Sequence, residues 1–293
     1  MSSEALTAIP LTSLPQLSKG KVRYGILAYR ISAYDVILKN GISSKGLILT
    51  LLSAKWFEVL SSRIPGLKHH FLSLTPPPAP DVITPDERRM LRGRSMVVRR
   101  LKIFPIEAIG KTVISKGNLT SQWGSAWLCD GKRMVGPAGL KRCQQLPKPI
   151  YTPSTKAELG EKDLNISPHE AKAIVGEKYA SRIEELALSC YQAGAAYAEE
   201  RGIIIADTKF EFGLDEATDE IYLVDEVLTP DSSRFWSRAD YENLQSDAIR
   251  TPKGKPDVEM PPEVVEKTKG RYMEVYELLT GKSLEEALKS LED

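Results

Sequence analysis

Apolar positions along this chain follow two spacings, one helical and one extended. Over residues 43–62, SSKGLILTLLSAKWFEVLSS, Leu47, Leu51, Ala54, Phe57, Val59 and Leu60 recur at helical spacing, and the run ends before Pro65. Residues 95–109, SMVVRRLKIFPIEAI, are short apolar runs that read as strand, broken at Pro105. Residues 110–160 are rich in Gly, Pro, Ser and Lys and read mostly as loop. A capping box follows, with Ser167, Pro168 at the first helical position and Glu170 three residues on. A helix over about 177–201 carries Ile183, Leu186, Ala187, Cys190 and Ala193 on one face and stops at Gly202. IIIADTKFEFG (203–213), LDEATDE (214–220) and IYLVDEV (221–227) read as strand, polar turn and strand, a β-hairpin that TPDSSRFW (229–236) leaves as a loop. Residues 237–262 look like a linker, with Pro252, Gly254, Pro256, Pro261 and Pro262. A helix over 263–279 carries Val264, Val265, Met273, Val275, Tyr276 and Leu279, ends at Gly281, and is followed by a short amphipathic helix. Residues 1–18 form a loose lead-in, and PPPAP at 76–80 a stiff exposed loop.

Composition narrows the chemistry. The 293 residues suffice for one large or two small domains with a full core. Forty Lys and Arg against 39 Asp and Glu leave a net charge of +1, so no global basic field points to nucleic acid or an anionic membrane. Three cysteines, at 129, 143 and 190, cannot build a disulfide framework or a four-cysteine zinc site and read as free thiols. The histidines are His69, His70 and His169, and no G-x-S-x-G is present. A three-histidine zinc site and a marked serine triad are thereby disfavoured, which leaves carboxylates, lysines and arginines to carry any catalysis. No apolar run approaches the roughly 18 residues of a membrane span, and the N-terminus lacks signal-peptide character, so a cytoplasmic location is expected.

The hairpin is the most informative segment. Side chains alternate along a strand, so Asp207, Lys209 and Glu211 share one face, and Ala206, Phe210 and Phe212 share the other with Ile204. A turn centred near Thr218 places Glu211 opposite Asp225. Two opposed carboxylates repel unless a cation lies between them, and Mg²⁺ suits such a pair because it keeps its other positions for phosphate oxygens and water. Lys209 can balance its neighbours or reach a phosphate. A solvated face of alternating charge is equally ordinary in an antiparallel sheet. The next loop adds Asp231, Ser232, Ser233 and Arg234, an acid, two hydroxyls and a guanidinium able to grip phosphate. A metal site beside an anion clamp suggests phosphoryl transfer. Near the N-terminus Gly20, Lys21 and Arg23 could cover nucleotide phosphates, or form a solvated basic turn.

These segments together resemble the SAICAR synthetase family (phosphoribosylaminoimidazole-succinocarboxamide synthase), most closely its fungal single-function form. IIADTKFEFG (204–213) and LVDEVLTPDSSRFW (223–236) fit the family signature throughout. RISAYDVILKNGI (30–42), FPIEAI (104–109), GSAW (124–127) and IYTPSTKAELGEKDLNISP (150–168) follow in family order. The resemblance implies an α+β fold: a small antiparallel β N-terminal domain, here residues 1–105, and a larger ATP-grasp-like domain, 106–293, with ATP between them. It implies an ATP-dependent ligase joining L-aspartate to a carboxylated aminoimidazole ribonucleotide. Glu211 and Asp225 would hold Mg²⁺, with Asp163 close enough to reach it. Lys209 would sit at the phosphates with Asp207 beside it as the catalytic pair. Ser125, Asp231 and Arg234 would bind the ribonucleotide, and Lys156 would line the same cleft. Gly20, Lys21 and Arg23 would cover the ATP phosphates, and Glu107 would lie near the nucleoside. The partners implied are these small molecules, with no nucleic acid and no membrane, and a monomer.

Three segments depart from the family pattern. Only YGILAY separates Arg23 from Arg30, where the family has a longer hairpin, and Tyr29 stands where an Asp is expected. GKTVISKGNLTSQW at 110–123 contains no Arg, although the family places one there as a substrate-anion ligand. Residues 242–257 do not match. The alternative reading is therefore a catalytically impaired or mis-spliced relative. A ligase for another amine or acid is disfavoured by the intact PDSSRFW.

Overall fold

The computed structural model describes residues 30–33, 36–75, 83–113, 126–129, 132–135, 145–156, 163–243 and 260–291. They fall into two compact units that are each discontinuous in sequence. One lies within Met1–Lys55, Phe71–Arg99 and Leu244–Asp293, the other within Trp56–His70 and Arg100–Asn243. The division is thus not a single cut after residue 105, since the C-terminal helices group with the N-terminal segments.

In the first unit β1 (Arg30–Ala33) pairs with β2 (Val36–Gly41). The helical spacing after residue 43 becomes α1 (Lys45–Arg63), which contributes residues to both units. Its apolar stripe is wider than a single face: Leu47, Ile48, Leu49, Leu51 and Leu52 are all buried, while Ala54 is half-buried. The strand β3 (Phe71–Ser73) precedes α2 (Pro85–Leu91), which Thr84 and Glu87 cap reciprocally, and pairs with β4 (Val97–Val98).

The second unit is built on a seven-stranded sheet with antiparallel pairing throughout. Its strands are β5 (Lys102–Ile103), β6 (Ile106–Val113), β9 (Gln145–Tyr151), β10 (Ser154–Thr155), β11 (Ile203–Asp215), β12 (Glu220–Val224) and β13 (Ser233–Ser237). A separate ribbon, β7 (Ala126–Cys129) with β8 (Lys132–Val135), lies between β6 and β9 in sequence. The long β11 is the hub, paired with β6, β12, β13 and β5. Two helices follow β10. The first, α3 (Pro168–Val175), begins at the Ser167–Glu170 capping box, and α4 (Glu177–Glu199) follows it directly. The buried stripe of α4 runs Ala180, Ile183, Leu186, Ala187, Cys190, Tyr191, Gly194 and Ala198. Ala193 is half-buried and Gly194 takes the inner position. A Cβ on Gly110 would come within 2.9 Å of the Tyr191 side chain, so β6 and α4 approach closely where that glycine lies. After β13 comes α5 (Arg238–Asn243). The C-terminal helices α6 (Pro262–Thr280) and α7 (Leu284–Lys289) return to the first unit. The inner positions of α6 are Tyr272, Tyr276 and Leu279, with Val264 exposed, and Gly281 ends it in the left-handed conformation at φ 69°. Lys45 is buried with its Nζ 5.6 Å from the Tyr272 ring.

Several expectations are corrected. The described residues within 110–160 are mostly strand and not loop: β6 continues to Val113, and β7 to β10 lie in the segment. Residues 233–237 are a strand on β11, and the expected linker begins as α5. These strands lack local periodicity because their stability comes from pairing with distant segments. The hairpin register is one residue off the expectation. Asp215 pairs with Glu220 around a four-residue turn in which Asp219 is left-handed at φ 58°, and Glu211 then faces Val224, not Asp225. A register shift between Ile205 and Asp207 leaves Ile203 and Ile205 buried and Ile204 half-buried. The lead-in, PPPAP, residues 24–29, 114–123 and 244–257 lie outside the described residues.

Candidate active site

Strand β11 projects Asp207, Lys209 and Glu211 at alternate positions, and each meets a charge of opposite sign. Asp207 lies in register with Arg234 of β13 on one side and Lys111 of β6 on the other. Its buried carboxylate takes both arms of the guanidinium, Arg234 Nε to Oδ1 at 2.8 Å and Nη2 to Oδ2. That two-point grip fixes the orientation of both groups. Lys209 Nζ is 2.7 Å from Oε1 of Glu107, and Ser154 Oγ donates to the other Glu107 oxygen at 3.4 Å. Glu211 pairs with Lys156 Nζ, while the Lys156 main-chain N–H donates to Pro105 O at 3.1 Å.

The carboxylates crowd one another. Burial, and next the charge of Asp225, push the Glu211 carboxyl above its ordinary range; Lys156 opposes them and Glu107 adds to them. Burial alone would pull Lys209 down, but the Glu107 charge and hydrogen bond outweigh it and its pKa is raised. Asp225 is the first residue past β12 and has left-handed backbone at φ 61°. Past it Glu226 is buried and accepts from Thr229 Oγ1 at 2.8 Å. A set of buried hydroxyls then ties the loop to β11: Thr229 N–H donates to Ser232 Oγ at 3.0 Å, and Ser233 Oγ donates to Thr208 Oγ1 at 2.7 Å. Arg234 is delivered to Asp207 by this anchored turn.

The group is suited to anions and to a hard cation. Lys209, Lys156, Arg234 and Lys111 can exchange protein carboxylates for phosphate or carboxylate oxygens of a ligand. Glu211 and Asp225 are hard oxygen donors, and the share of the upward push on Glu211 that comes from the charge of Asp225, second to burial, is what a divalent cation would relieve. Among the described residues no group of three or more His, Cys, Asp and Glu side chains gathers to hold a metal; Asp163 is exposed beside β10. Asp231 is exposed in the turn between β12 and β13. Gly20, Lys21, Arg23 and Ser125 lie outside the described residues. A cavity of about 270 Å³ lies elsewhere, at the turn end of the hairpin, lined by Lys68, Lys178, Asp219 and Glu220 among others. Its lysines are already paired, Lys68 with Glu220 and Lys178 with Asp219.

Three residues of this neighbourhood are not among those the sequence singled out. Lys111 is buried opposite Asp207, in a stretch that read as loop and that lacks the Arg of the family pattern. Ser154 supports Glu107. His70 is buried, and its main-chain N–H donates to Leu223 O at 3.0 Å. Burial dominates its titration and lowers its pKa to about 4, with Asp225 acting in the opposite sense. Only the pairing Lys111–Asp207 was open to inference, from counting the strand of FPIEAI onward through residue 113.

Known proteins are similar to this chain over most of its length. A family model described as SAICAR synthetase matches residues 19–255, a span that runs across the first two divergent segments and into the third. The phosphoribosylaminoimidazole-succinocarboxamide synthase of Saccharomyces cerevisiae is 44% identical over 271 residues, covering 84% of this chain and 85% of the relative. That of Schizosaccharomyces pombe is 43% identical over 265 residues, covering 85% and 84%. The solved structure of the Saccharomyces cerevisiae SAICAR synthase complexed with SAICAR superposes with a TM-score of 0.77 at 38% identity, covering 93% of this chain and 96% of that one.

Proposed function

The chain belongs to the SAICAR synthetase family, and from that membership we infer that it is an ATP-dependent carbon–nitrogen ligase of purine biosynthesis. It joins L-aspartate to 5-amino-1-(5-phospho-D-ribosyl)imidazole-4-carboxylate and releases SAICAR, ADP and phosphate. A carboxylate does not accept an amine at neutral pH. Transfer of the ATP γ-phosphoryl to the imidazole carboxylate makes an acyl phosphate, which the aspartate amine attacks. The C–N bond forms as the C–O bond to phosphate breaks, and the amine proton is lost to the medium. Catalysis of this kind rests on positioning and charge neutralisation, for which lysine, arginine and carboxylate suffice.

In this reading Lys209 leaves Glu107 for the transferred phosphoryl group and stabilises its charge. Asp207 holds Arg234 in a fixed orientation toward the anionic groups of the ribonucleotide, with Lys111 on the other side of the same carboxylate. Lys156, exposed at one end of its pair with Glu211, is available to the same substrate. Ser125 and Asp231 complete the ribonucleotide subsite, and Gly20, Lys21 and Arg23 the cover over the phosphates. Mg²⁺ held by Glu211 and Asp225 would neutralise phosphate charge. A cytoplasmic monomer completes the proposal. Nothing in the described residues or in the comparisons favours an impaired or mis-spliced relative.

The observation that carries this reading is the row Asp207–Lys209–Glu211, with both carboxylates buried and each member held by a counter-charge. The test is ADP formation by the purified chain with Mg²⁺-ATP, the ribonucleotide and L-aspartate, each omitted in turn. Turnover that requires all three supports the ligase. ADP formation indifferent to aspartate or to the ribonucleotide, or absent from the folded chain, refutes it.

A further inference from the structure

We propose that Leu228 is a positioning residue: seated on Gly194 of α4, it anchors from behind the sheet the loop that brings Arg234 to Asp207. The proposal rests on the ribonucleotide role of Arg234 given above. Two locally unfavourable choices meet at this contact. Leu228 is fully buried and has left-handed backbone at φ 51°, a region where a bulky side chain is uncommon and persists where its surroundings impose it. Gly194 lies well inside the 23-residue α4, where glycine is a poor helix former. Each is explained by the other. A Cβ on Gly194 would come within 2.4 Å of Leu228 Cδ1, so the leucine side chain fills the space that a Cβ at 194 would claim. Glycine or asparagine at 228 would suit the left-handed backbone better, but would leave that space unfilled.

The contact acts on the site from the far side of the sheet. Tyr191 of α4 overlies Gly110 of β6, and Gly110 alternates with Lys111, the register partner of Asp207. The helix therefore packs on the face opposite the row Asp207–Lys209–Glu211. Leu228 ties to that helix the chain that has left β12 and must return as β13. The next residue opens the anchored turn: Ser232 N–H donates to Thr229 O at 3.1 Å, and Lys209 N–H donates to Ser232 O at 3.1 Å. Arg234 follows, in register with Asp207 and donating to its carboxylate at 2.8 Å. The bonds of residues 232 and 233 fix this turn to β11, and Leu228 fixes its origin to α4, so the guanidinium is held by two supports.

The test measures initial rates and native-state amide exchange in the full chain for Leu228→Ala, Leu228→Gly, Gly194→Ala and the double variant Gly194→Ala/Leu228→Ala. A variant that merely unfolds more readily loses active enzyme, so its apparent kcat falls while KM stays at wild type. One that misplaces Arg234 loses ground-state binding and raises KM. Each single variant is expected to raise KM for the ribonucleotide ~10-fold or more, since a shift of about 1 Å at a reacting site can cost ~100-fold. The Ser232 and Lys209 amides should exchange ~10-fold faster while those of α4 keep their protection. In the double variant the added methyl takes the place of the lost one and should return KM most of the way to wild type. If alanine at 228 does not fold, Leu228→Gly decides, because it removes the left-handed cost together with the side chain. Wild-type KM in Leu228→Gly and Gly194→Ala, or exchange that rises equally through α4 and the loop, overturns the positioning role. A wild-type chain with no turnover of the ribonucleotide overturns the ligase reading instead, and amide exchange then decides the anchor alone.

Discussion

Lys209 Nζ lies 2.7 Å from Glu107 Oε1, a diagonal reach between β11 and β6 that leaves a carboxylate only 7% exposed dependent on one lysine. Replacement of Lys209 by Met leaves that charge buried without its partner. The Lys209 side chain is itself 41% exposed, so the loss falls between that of a surface pair and a buried one, about 2 kcal/mol. Glu107→Gln in the same chain should restore most of the stability and none of the turnover, which falls at least ~100-fold in either Lys209 variant because the phosphoryl charge loses its cation. Denaturant unfolding and ADP formation separate the two effects. Because the folded-state pKa of Lys209 is raised, its contribution is fully present below the unfolded value near 10.5 and disappears as pH rises through the folded value.

Glu211 behaves in the opposite way in the chain without metal or nucleotide. Its pKa is raised by burial, by Asp225 and by Glu107 against the pull of Lys156, so its charged form is a cost to the fold at neutral pH. The penalty is absent below the unfolded value near 4.5 and grows as pH rises through the folded one. Glu211→Gln should therefore raise the Tm of the ligand-free chain at pH 7, have little effect below pH 4, and lower turnover at least ~100-fold through loss of a hard donor. A lower Tm at pH 7 would show that the ion pair with Lys156 outweighs the crowding.

The helices and the β11–β12 hairpin were legible because their determinants are local. The Ser167–Glu170 capping box, the α4 stripe and Gly202 act within one or two turns of chain, and the polar turn separates two strand-like runs. The register was missed by one residue, because it is set by left-handed Asp219 and a four-residue turn that composition does not distinguish from its neighbours. The strand at Ser233–Ser237 was missed for another reason. It carries Arg234 and two serines, and it is extended only because β11 offers it an edge. The alternation along β11 placed Asp207, Lys209 and Glu211 together, but their counter-charges come from residues 107, 156 and 234, whose proximity is a product of the sheet and not of spacing. His70 left no trace in the pattern, since its burial depends on a main-chain bond between segments more than 150 residues apart (70 and 223).

Asp207 tests whether a single cation or a guanidinium is required. A lysine at 234 can reach one carboxylate oxygen but cannot reproduce the paired contacts, and it is not a conservative exchange at such a site. Arg234→Lys should cost about 1–2 kcal/mol of stability and raise KM for the ribonucleotide ~10-fold or more, with KM for ATP little changed. Lys111→Met, on the other side of Asp207, should raise the same KM. Initial rates with each substrate varied in turn check both. A change confined to KM for ATP in either variant would remove that residue from the ribonucleotide subsite.

Gly110 tests the strand itself. The residue is extended, so alanine meets no backbone obstacle there, but its Cβ would lie 2.9 Å from Cβ, Cγ and Cδ2 of Tyr191. Those atoms cannot swing aside as the end of a flexible side chain would, because Tyr191 is fully buried on α4 and its hydroxyl donates to Ile205 O. The helix and the strand must separate. Such overpacking costs about 1–3 kcal/mol, which at roughly 2–4 °C per kcal/mol lowers Tm by several degrees. The separation also moves Lys111, the next residue, against Asp207. Gly110→Ala should therefore combine a lower Tm with a higher KM for the ribonucleotide. A variant with unchanged Tm would mean that residues 110–113 do not pack under α4, and the place of Lys111 beside Asp207 would fall with them.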